Sequence, residues 1–116
     1  MPTELSSPRI FPATVIPASG TATSPSIDLA KATSMALHLT SITGTSPNVT
    51  FTYKMSCDNI TFVTPQTPVT IGANKTAVDI MAFAPQCARW MQIICTNNNG
   101  SNQVTIDARL AVQERN

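Results

Sequence analysis

The sequence predicts an all-β fold, a two-sheet antiparallel β-sandwich of about eight strands in a jelly-roll or immunoglobulin-like arrangement. Three observations lead to this prediction. Apolar and polar residues alternate along several segments, which is the pattern of a strand with one buried face. Clusters of Gly, Pro, Asn, Asp and Ser separate these segments at the spacing expected of a sandwich. No segment of convincing length has a helical period.

Residues 1–18 are predicted to be an extended, proline-rich N-terminal arm or edge segment, and residues 19–116 a single β-sandwich domain. Proline lacks an amide donor and has a fixed φ, so the prolines of the first segment exclude a helix or an interior strand. The segment is either an edge strand of the sandwich or an arm that docks on a neighbouring molecule. If it docks, its contact residues are Arg9, Ile10 and Phe11.

The next two strands are predicted on either side of a turn cluster at residues 43–48. The first of them places Met35, Leu37 and Leu39 on one face and His38 on the other. Because turn residues join the two strands, we expect them to pair with each other.

The second of these strands has the clearest alternation in the chain. Its apolar face carries four residues that are predicted to lie in the core: Val49, Phe51, Tyr53 and Met55. Asp58 and Asn59 follow, and both residue types tolerate left-handed backbone geometry, which favours a tight turn. Residues 60–63 are then expected to return as the second strand of a β-hairpin.

Shorter strands are predicted further along the chain. Residues 69–71 form one that Gly72 interrupts, and residues 76–83 form another with Val78 and Ile80 facing inward.

The last two strands differ in pattern. Residues 88–96 are apolar on both faces, which indicates a central strand or one that faces a partner subunit. An asparagine-rich turn at residues 97–102 leads into the closing strand, residues 103–113, which alternates cleanly. Its inward residues are expected to be Val104, Ile106, Ala108, Leu110 and Val112.

Arg89 and Trp90 are the second group of candidate partner-binding residues. Aromatic residues and arginine are enriched among the side chains that dominate protein interfaces. Packing of Trp90 in the core and contact of Trp90 with a partner or ligand are both compatible with the sequence.

The composition offers little that catalysis or nucleic-acid binding requires. Charged residues make up 11% of the chain, the net charge is +1, and the basic residues are scattered singly, so there is no basic stripe. His38 is the only histidine, and Cys57, Cys87 and Cys95 form no C-x-x-C pair. We therefore expect no enzyme activity, no metal site, no cofactor, no small-molecule substrate and no nucleic-acid partner.

The N-terminal residues MPTELSSPRIF lack the basic and apolar regions of a signal peptide. No apolar run in the sequence has the length of a membrane span. We expect a protein that is synthesised in the cytoplasm and has no membrane contact.

Three motifs occur in order along the chain: GTSPNV at residues 44–49, SCDNITF at residues 56–62 and ARWMQI at residues 88–93. In this order they resemble motifs of small structural proteins of tailed-bacteriophage virions. In that family "GTSP-x-V", "S-x-D-G-x-x-F" and "A-R-Y-hydrophobic-K-I" segments recur. The resemblance covers roughly residues 27–114.

The chain departs from this pattern at three positions. Asn59 stands in place of the usual Gly, Trp90 in place of Tyr, and Gln92 in place of Lys. The strand that contains Trp90 is also similar, more loosely, to an "A-R-Y-hydrophobic-R-hydrophobic" strand of galactose-binding-like jelly rolls.

The resemblance to virion proteins implies a capsid decoration (cement) protein that binds the outer capsid surface and stabilises the shell. Its implied partners are the major capsid protein and copies of itself, and its implied location is the virion, after synthesis in the cytoplasm of a bacterial host. The alternatives are a carbohydrate-binding module on a tail fibre or baseplate, and a neck or tail adaptor protein.

Overall fold

The computed structural model describes residues 3–66, 69–84 and 88–115. The described residues form ten β-strands and no helix. The strands are β1 (Thr3–Ser6), β2 (Arg9–Ile16), β3 (Thr21–Thr23), β4 (Ile27–Asp28), β5 (Ala32–Gly44), β6 (Val49–Ser56), β7 (Thr70–Lys75), β8 (Asp79–Phe83), β9 (Trp90–Asn97) and β10 (Val104–Arg115).

The strands make two antiparallel sheets of five strands each, as the alternation of the sequence predicts. In sheet 1 the order is β1/β2, β10, β5, β8, because β1 and β2 pair with successive stretches of the same side of β10. In sheet 2 the order is β3/β4, β9, β6, β7, and β3 and β4 share one side of β9. The chain changes sheet at every connection except β1–β2, β3–β4 and β6–β7.

A single hydrophobic core lies between the two sheets. Phe11 of sheet 1 and Phe51 of sheet 2 meet there with ring centroids 6.3 Å apart, and Phe83 and Tyr53 meet at 5.9 Å. These tilted ring contacts join the two sheets directly. The inward faces predicted for the strands at residues 47–56 and 103–113 are confirmed, since every residue assigned to them is buried.

The described part of the N-terminal segment lies in the sheet and not away from it. Residues 9–16 pair with β10, and the side chains of Ile10, Phe11 and Ile16 belong to the core. Proline is tolerated here because an edge strand leaves half of its amide groups unpaired. This placement matches the edge-strand interpretation; docking on a neighbouring molecule stays a prediction.

The prediction that the strands at residues 34–43 and 47–56 pair with each other is wrong. They are β5 and β6, which lie in different sheets. The turn cluster between them crosses from one sheet to the other, and Asn99 Nδ2 holds it by donating hydrogen bonds to the carbonyl oxygens of Thr45 and Ser46, at 3.2 and 3.1 Å. A cluster of turn residues marks a change of direction, but it does not distinguish a hairpin from a crossing between sheets.

The expected return strand at residues 60–63 is reduced to a single β-bridge between Met55 and Val63. The two residues exchange backbone hydrogen bonds of 3.0 Å in each direction. The N–H groups of Ile60 and Thr61 are bonded to the Asp58 carboxylate, so they do not pair with β6. The Asp58 side chain therefore takes the place of the backbone carbonyl acceptors that pairing with β6 would provide.

Val78 and Ile80 do not face inward as predicted; both are exposed, and Met81 is buried in their place. The strand begins only at Asp79, and a shift of one residue exchanges the faces of a strand. Gly72 does not interrupt the preceding strand but lies within β7. Glycine suits this position because it has no side chain. A Cβ atom here would come within 2.2 Å of the Met81 sulfur.

Candidate contact surface

The first predicted group of contact residues divides between the surface and the core. The Arg9 side chain is exposed on sheet 1, where its Nε donates to Asp107 Oδ1 at 3.0 Å and its Nη2 forms an ion pair with Asp107 Oδ2. Ile10 and Phe11 are buried, and only 1% of the Phe11 surface is accessible. While β2 lies in the sheet, these two apolar residues therefore present almost no surface to a partner.

The second predicted group forms a compact surface cluster on sheet 2. Arg89 Nη2 donates to Asp28 Oδ2 at 3.1 Å, and the Arg89 guanidinium carbon lies 5.0 Å from the centroid of the Trp90 ring. The hydrogen bond from Arg89 is the main reason that the pKa of Asp28 is lowered. Trp90 is half-buried, and its ring lies beneath the Arg89 guanidinium.

The structure does not bring the two predicted groups together, because Arg9 belongs to sheet 1 and the Arg89–Trp90 pair to sheet 2. It does bring the Arg89–Trp90 pair next to a loop that the sequence interpretation treated as a plain turn. Trp90 is the register partner of Ser56, the last residue of β6. The loop at residues 57–63 begins directly after Ser56.

Asp58 organises this loop through one oxygen atom. Its Oδ1 accepts hydrogen bonds from the Ile60 N–H at 2.9 Å, the Thr61 N–H at 2.8 Å and the Ser56 hydroxyl at 2.8 Å. The Ser56 hydroxyl oxygen accepts in turn from the N–H groups of Asp58 and Asn59. Asn59 has a φ of 60°, the left-handed geometry that the Asp-Asn pair predicts.

These hydrogen bonds keep the Asp58 carboxylate ionised. The bonds from the Thr61 and Ile60 backbone, followed by the bond from the Ser56 hydroxyl, lower the pKa of Asp58 to about 2. A carboxylate that accepts several N–H bonds is stabilised in its charged form. The loop therefore carries a fixed negative charge at any pH near neutrality.

The loop also carries the most exposed large apolar side chain among the described residues. Ile60 is 83% exposed, and Val63, three residues later, is 58% exposed. Val63 also lines an open pocket of about 410 Å3. Its wall is formed by Met55, Ser56, Cys57, Asp58, Thr61, Val63 and Ala88.

The loop and the start of β9 lie at the same end of sheet 2, because Trp90 is the register partner of Ser56. We call the residues at this end the contact surface: Asp58, Ile60, Val63, Arg89 and Trp90. The sequence predicted two of its members, Arg89 and Trp90. It missed Ile60 and Val63, because an apolar pair two or three residues after a turn is also the signature of a hairpin strand. The exposure of Ile60 follows from the Asp58 hydrogen bonds, which no periodicity reveals.

The opposite end of the sandwich is tied together by a run of asparagines. Asn97 is buried, and its Nδ2 donates to the carbonyl oxygens of Ile16, Pro17 and Asn102 at 3.0–3.2 Å. Asn98 Nδ2 donates to Asn48 Oδ1 at 2.8 Å. These amides join the β2–β3, β5–β6 and β9–β10 connections to one another, so they have a structural role.

Metal binding and nucleophilic catalysis both require particular ionisable or thiol side chains. Over residues 3–66, 69–84 and 88–115, no three His, Cys, Asp or Glu side chains are placed to hold a metal ion together. Cys95 is buried, which raises the pKa of its thiol to about 12, so it is a poor nucleophile. Cys57 is exposed in the contact-surface loop. Cys87 lies outside the described residues.

Among the described residues, there is no helix that is long and apolar enough to cross a membrane. No family model matches the sequence, and no curated protein is significantly similar to it in sequence.

Proposed function

We propose that this chain is a non-enzymatic structural protein of a virion, and specifically a capsid decoration (cement) protein that binds the outer capsid surface and stabilises the shell. The assignment to a virion rests on the resemblance of the GTSPNV, SCDNITF and ARWMQI motifs to virion proteins. The assignment to a binding role rests on the contact surface. Its partners are the major capsid protein and copies of this chain.

The observation that carries the proposal is the exposure of Ile60 on a loop with fixed geometry. An exposed apolar side chain on a mobile loop costs conformational entropy when it binds. The loop at residues 57–63 is held by three hydrogen bonds to Asp58 Oδ1 and by the bridge between Met55 and Val63. Much of the conformational entropy of the loop is therefore already lost in the free protein. Such a surface suits a permanent contact between proteins.

We further infer that the sandwich is a jelly roll, and not immunoglobulin-like. Two sheets with the strand orders β2-β10-β5-β8 and β3-β9-β6-β7, and a chain that passes repeatedly between them, fit this arrangement. Viral capsid domains and lectin domains are both built on jelly rolls. The fold is thus compatible with a virion protein, but a fold alone does not determine a function.

A carbohydrate-binding module on a tail fibre or baseplate is the second candidate, because jelly rolls include lectins and Trp90 is accessible in part. Sugar rings bind to the open face of an aromatic side chain. In this chain the Arg89 guanidinium stands over the Trp90 ring, which disfavours stacking of a sugar on that face. Calorimetric titration with mono- and oligosaccharides tests this candidate, and heat of binding that is lost in Trp90→Ala would support it.

Co-sedimentation with emptied capsid shells tests the primary proposal. Shells stripped of this protein should bind purified wild-type chain and should then withstand a higher temperature before they open. A copy number that matches the repeating lattice of the shell supports a decoration protein. A copy number that matches a single ring would support a neck or tail adaptor and contradict the decoration role.

A further inference from the structure

We infer that Asn99 is a site of covalent modification. Its side-chain amide can be lost by reaction with the backbone nitrogen of Gly100, and the native fold suppresses this reaction until the surrounding loop opens. Asn99 and Gly100 form the only Asn-Gly pair in the chain. The inference concerns the asparagine-rich end of the sandwich and does not depend on the proposed function.

The reaction is an intramolecular acyl transfer, which proximity of the two groups favours. The Gly100 nitrogen attacks Asn99 Cγ and forms a five-membered succinimide ring. The bond from Cγ to Nδ2 breaks, and Nδ2 leaves as ammonia together with the proton of the Gly100 nitrogen. Water then opens the ring at either of its two carbonyl carbons, and the product is aspartate or isoaspartate in place of Asn99.

Glycine at position 100 leaves the attacking nitrogen unhindered, although the fold does not require glycine there. Apart from its chain neighbours, a Cβ atom at Gly100 would approach only Ser19 Oγ, at 3.5 Å, which is ordinary van der Waals contact. At Gly20, Gly44 and Gly72 a Cβ atom would come within 2.8, 2.9 and 2.2 Å of other atoms. Gly100 is also exposed, so water can reach the succinimide once it has formed.

The native fold uses every hydrogen-bonding position of the Asn99 side-chain amide. Nδ2 donates to the carbonyl oxygens of Thr45 and Ser46 at 3.2 and 3.1 Å. Oδ1 accepts from the N–H groups of Ser101 and Asn102 at 2.8 and 3.0 Å. Since ring closure removes Nδ2, it must break both hydrogen bonds to the crossing between β5 and β6.

The backbone of Asn99 is held as well. Its N–H donates to Asn97 Oδ1 at 2.9 Å, and its carbonyl oxygen accepts from the Ser19 N–H at 3.0 Å. A rotation of the main chain that brings Cγ onto the Gly100 nitrogen would disturb these bonds. The reaction should therefore proceed from states in which this end of the sandwich has opened locally.

Loss of the amide should prevent the loop from closing as before. An aspartate in place of Asn99 can still accept the N–H bonds of Ser101 and Asn102. Its second carboxylate oxygen, however, would face the carbonyl oxygens of Thr45 and Ser46 with no proton to donate. The isoaspartyl product also lengthens the main chain by one atom. Modification thus removes the hydrogen bonds that hold the β5–β6 crossing.

Mass spectrometry of the wild-type chain tests the assignment and the protection together. The chain is incubated at mildly alkaline pH, both in buffer and in enough guanidinium chloride to unfold it, and is then digested with trypsin. Residues 90–109 form one tryptic fragment, in which a gain of one dalton can be placed on Asn97, Asn98 or Asn99. In the unfolded chain Asn99 should react at least about tenfold faster than the other two asparagines. In the native chain Asn99 should react at least about tenfold more slowly than in the unfolded chain.

Two substitutions separate the chemistry from the fold. Gly100→Ala fits the available space, so it should fold like wild type and should slow the reaction in the unfolded chain at least about fivefold. Asn97→Ala removes the acceptor of the Asn99 N–H, so it should raise the native rate at least about threefold relative to its own unfolded rate. Asn98 is exposed, and Asn98→Ala should leave that ratio close to the wild-type value.

Asn99→Asp tests the consequence of modification, with Asn98→Asp as the control that adds the same charge. Asn99→Asp should lower the melting temperature by at least about 4 °C, because the crossing loses its donor. Asn98→Asp should lower it by less than half as much, because water can replace the exposed bonds of Asn98. Circular dichroism measures both.

Each outcome supports or contradicts one part of the inference. If Asn99 reacts no faster than its neighbours in the unfolded chain, the site is wrong. Equal rates in the native and unfolded wild-type chains would overturn the protection, and this comparison holds whether or not Asn97→Ala folds. A melting temperature of Asn99→Asp equal to that of wild type would show that modification does not release the crossing.

Discussion

The Asp58 carboxylate accepts the backbone N–H of Ile60 at 2.9 Å, while the Ile60 side chain projects almost entirely into solvent. Asp58 thus fixes the backbone at Ile60 and leaves the apolar side chain of Ile60 exposed. An apolar side chain that follows a tight turn usually lies on the core face of a return strand. Here the carboxylate takes the N–H groups that a return strand would need.

Removal of the Asp58 carboxylate should loosen the loop. In Asp58→Ala the N–H groups of Ile60 and Thr61 lose their acceptor, so their amide exchange should become faster by at least about tenfold. Asp58→Asn keeps an acceptor and is the control. Hydrogen exchange measured by NMR checks both, and unchanged protection of these amides in Asp58→Ala would show that other contacts hold the loop.

The stability of the fold should depend on pH in the acid range. The pKa values of Asp58 and Asp107 are lowered from 3.8 to about 2, the first mainly by the Thr61 and Ile60 N–H groups and the second mainly by Arg9. A carboxyl whose pKa is lower in the folded state stabilises the fold above its unfolded pKa. That contribution should be lost as the pH falls from about 4 to about 2. Urea unfolding at several pH values measures it.

The double variant Asp58→Asn/Asp107→Asn should show a weaker decrease of the free energy of unfolding over the same pH range. An equally steep decrease in the double variant would mean that other carboxyl groups are responsible.

Truncation of Phe11 should destabilise the whole sandwich and not only a terminal arm. Phe11 is 1% exposed and meets Phe51 across the core, so Phe11→Ala should cost about 3–5 kcal/mol of unfolding free energy. Val15 is exposed on the same strand, and Val15→Ala should change stability by no more than about 0.5 kcal/mol. Chemical denaturation compares the two. A small effect of Phe11→Ala would indicate that β2 leaves the sheet in solution.

Loss of the buried amide at Asn97 should destabilise the opposite end of the sandwich. Asn97→Ala leaves the carbonyl oxygens of Ile16, Pro17 and Asn102 without this donor, which should cost about 1–3 kcal/mol. Asn98 is exposed, and water can replace its bonds, so Asn98→Ala should cost less. Thermal unfolding ranks the variants. The reverse order would contradict the structural role of Asn97.

The sequence predicts the elements of this fold better than their pairing. Strict alternation correctly assigns the core faces of β6 and β10, because burial on one side of a strand leaves a period of two. It cannot show which strands are neighbours. The chain after β5 crosses to the other sheet, and the amide of Asn99 that holds this crossing comes from residues far along the chain.

Of the contact surface, the sequence predicts the residue types at Arg89 and Trp90 but not the position of Ile60. For Arg89 the composition of protein interfaces is the signal. For Ile60 the signal is the hydrogen bonding of Asp58, which depends on three-dimensional placement. The error at Val78 and Ile80 has a similar cause, since one residue of shift in the start of β8 reverses both faces.

An electron cryomicroscopy reconstruction of capsid shells saturated with the wild-type chain would test the central claim most directly. We expect density for the sandwich at every equivalent position of the outer shell, with the loop at residues 57–63 against the shell protein. Density confined to one ring, or a sandwich bound with Ile60 and Trp90 pointing into solvent, would contradict the account.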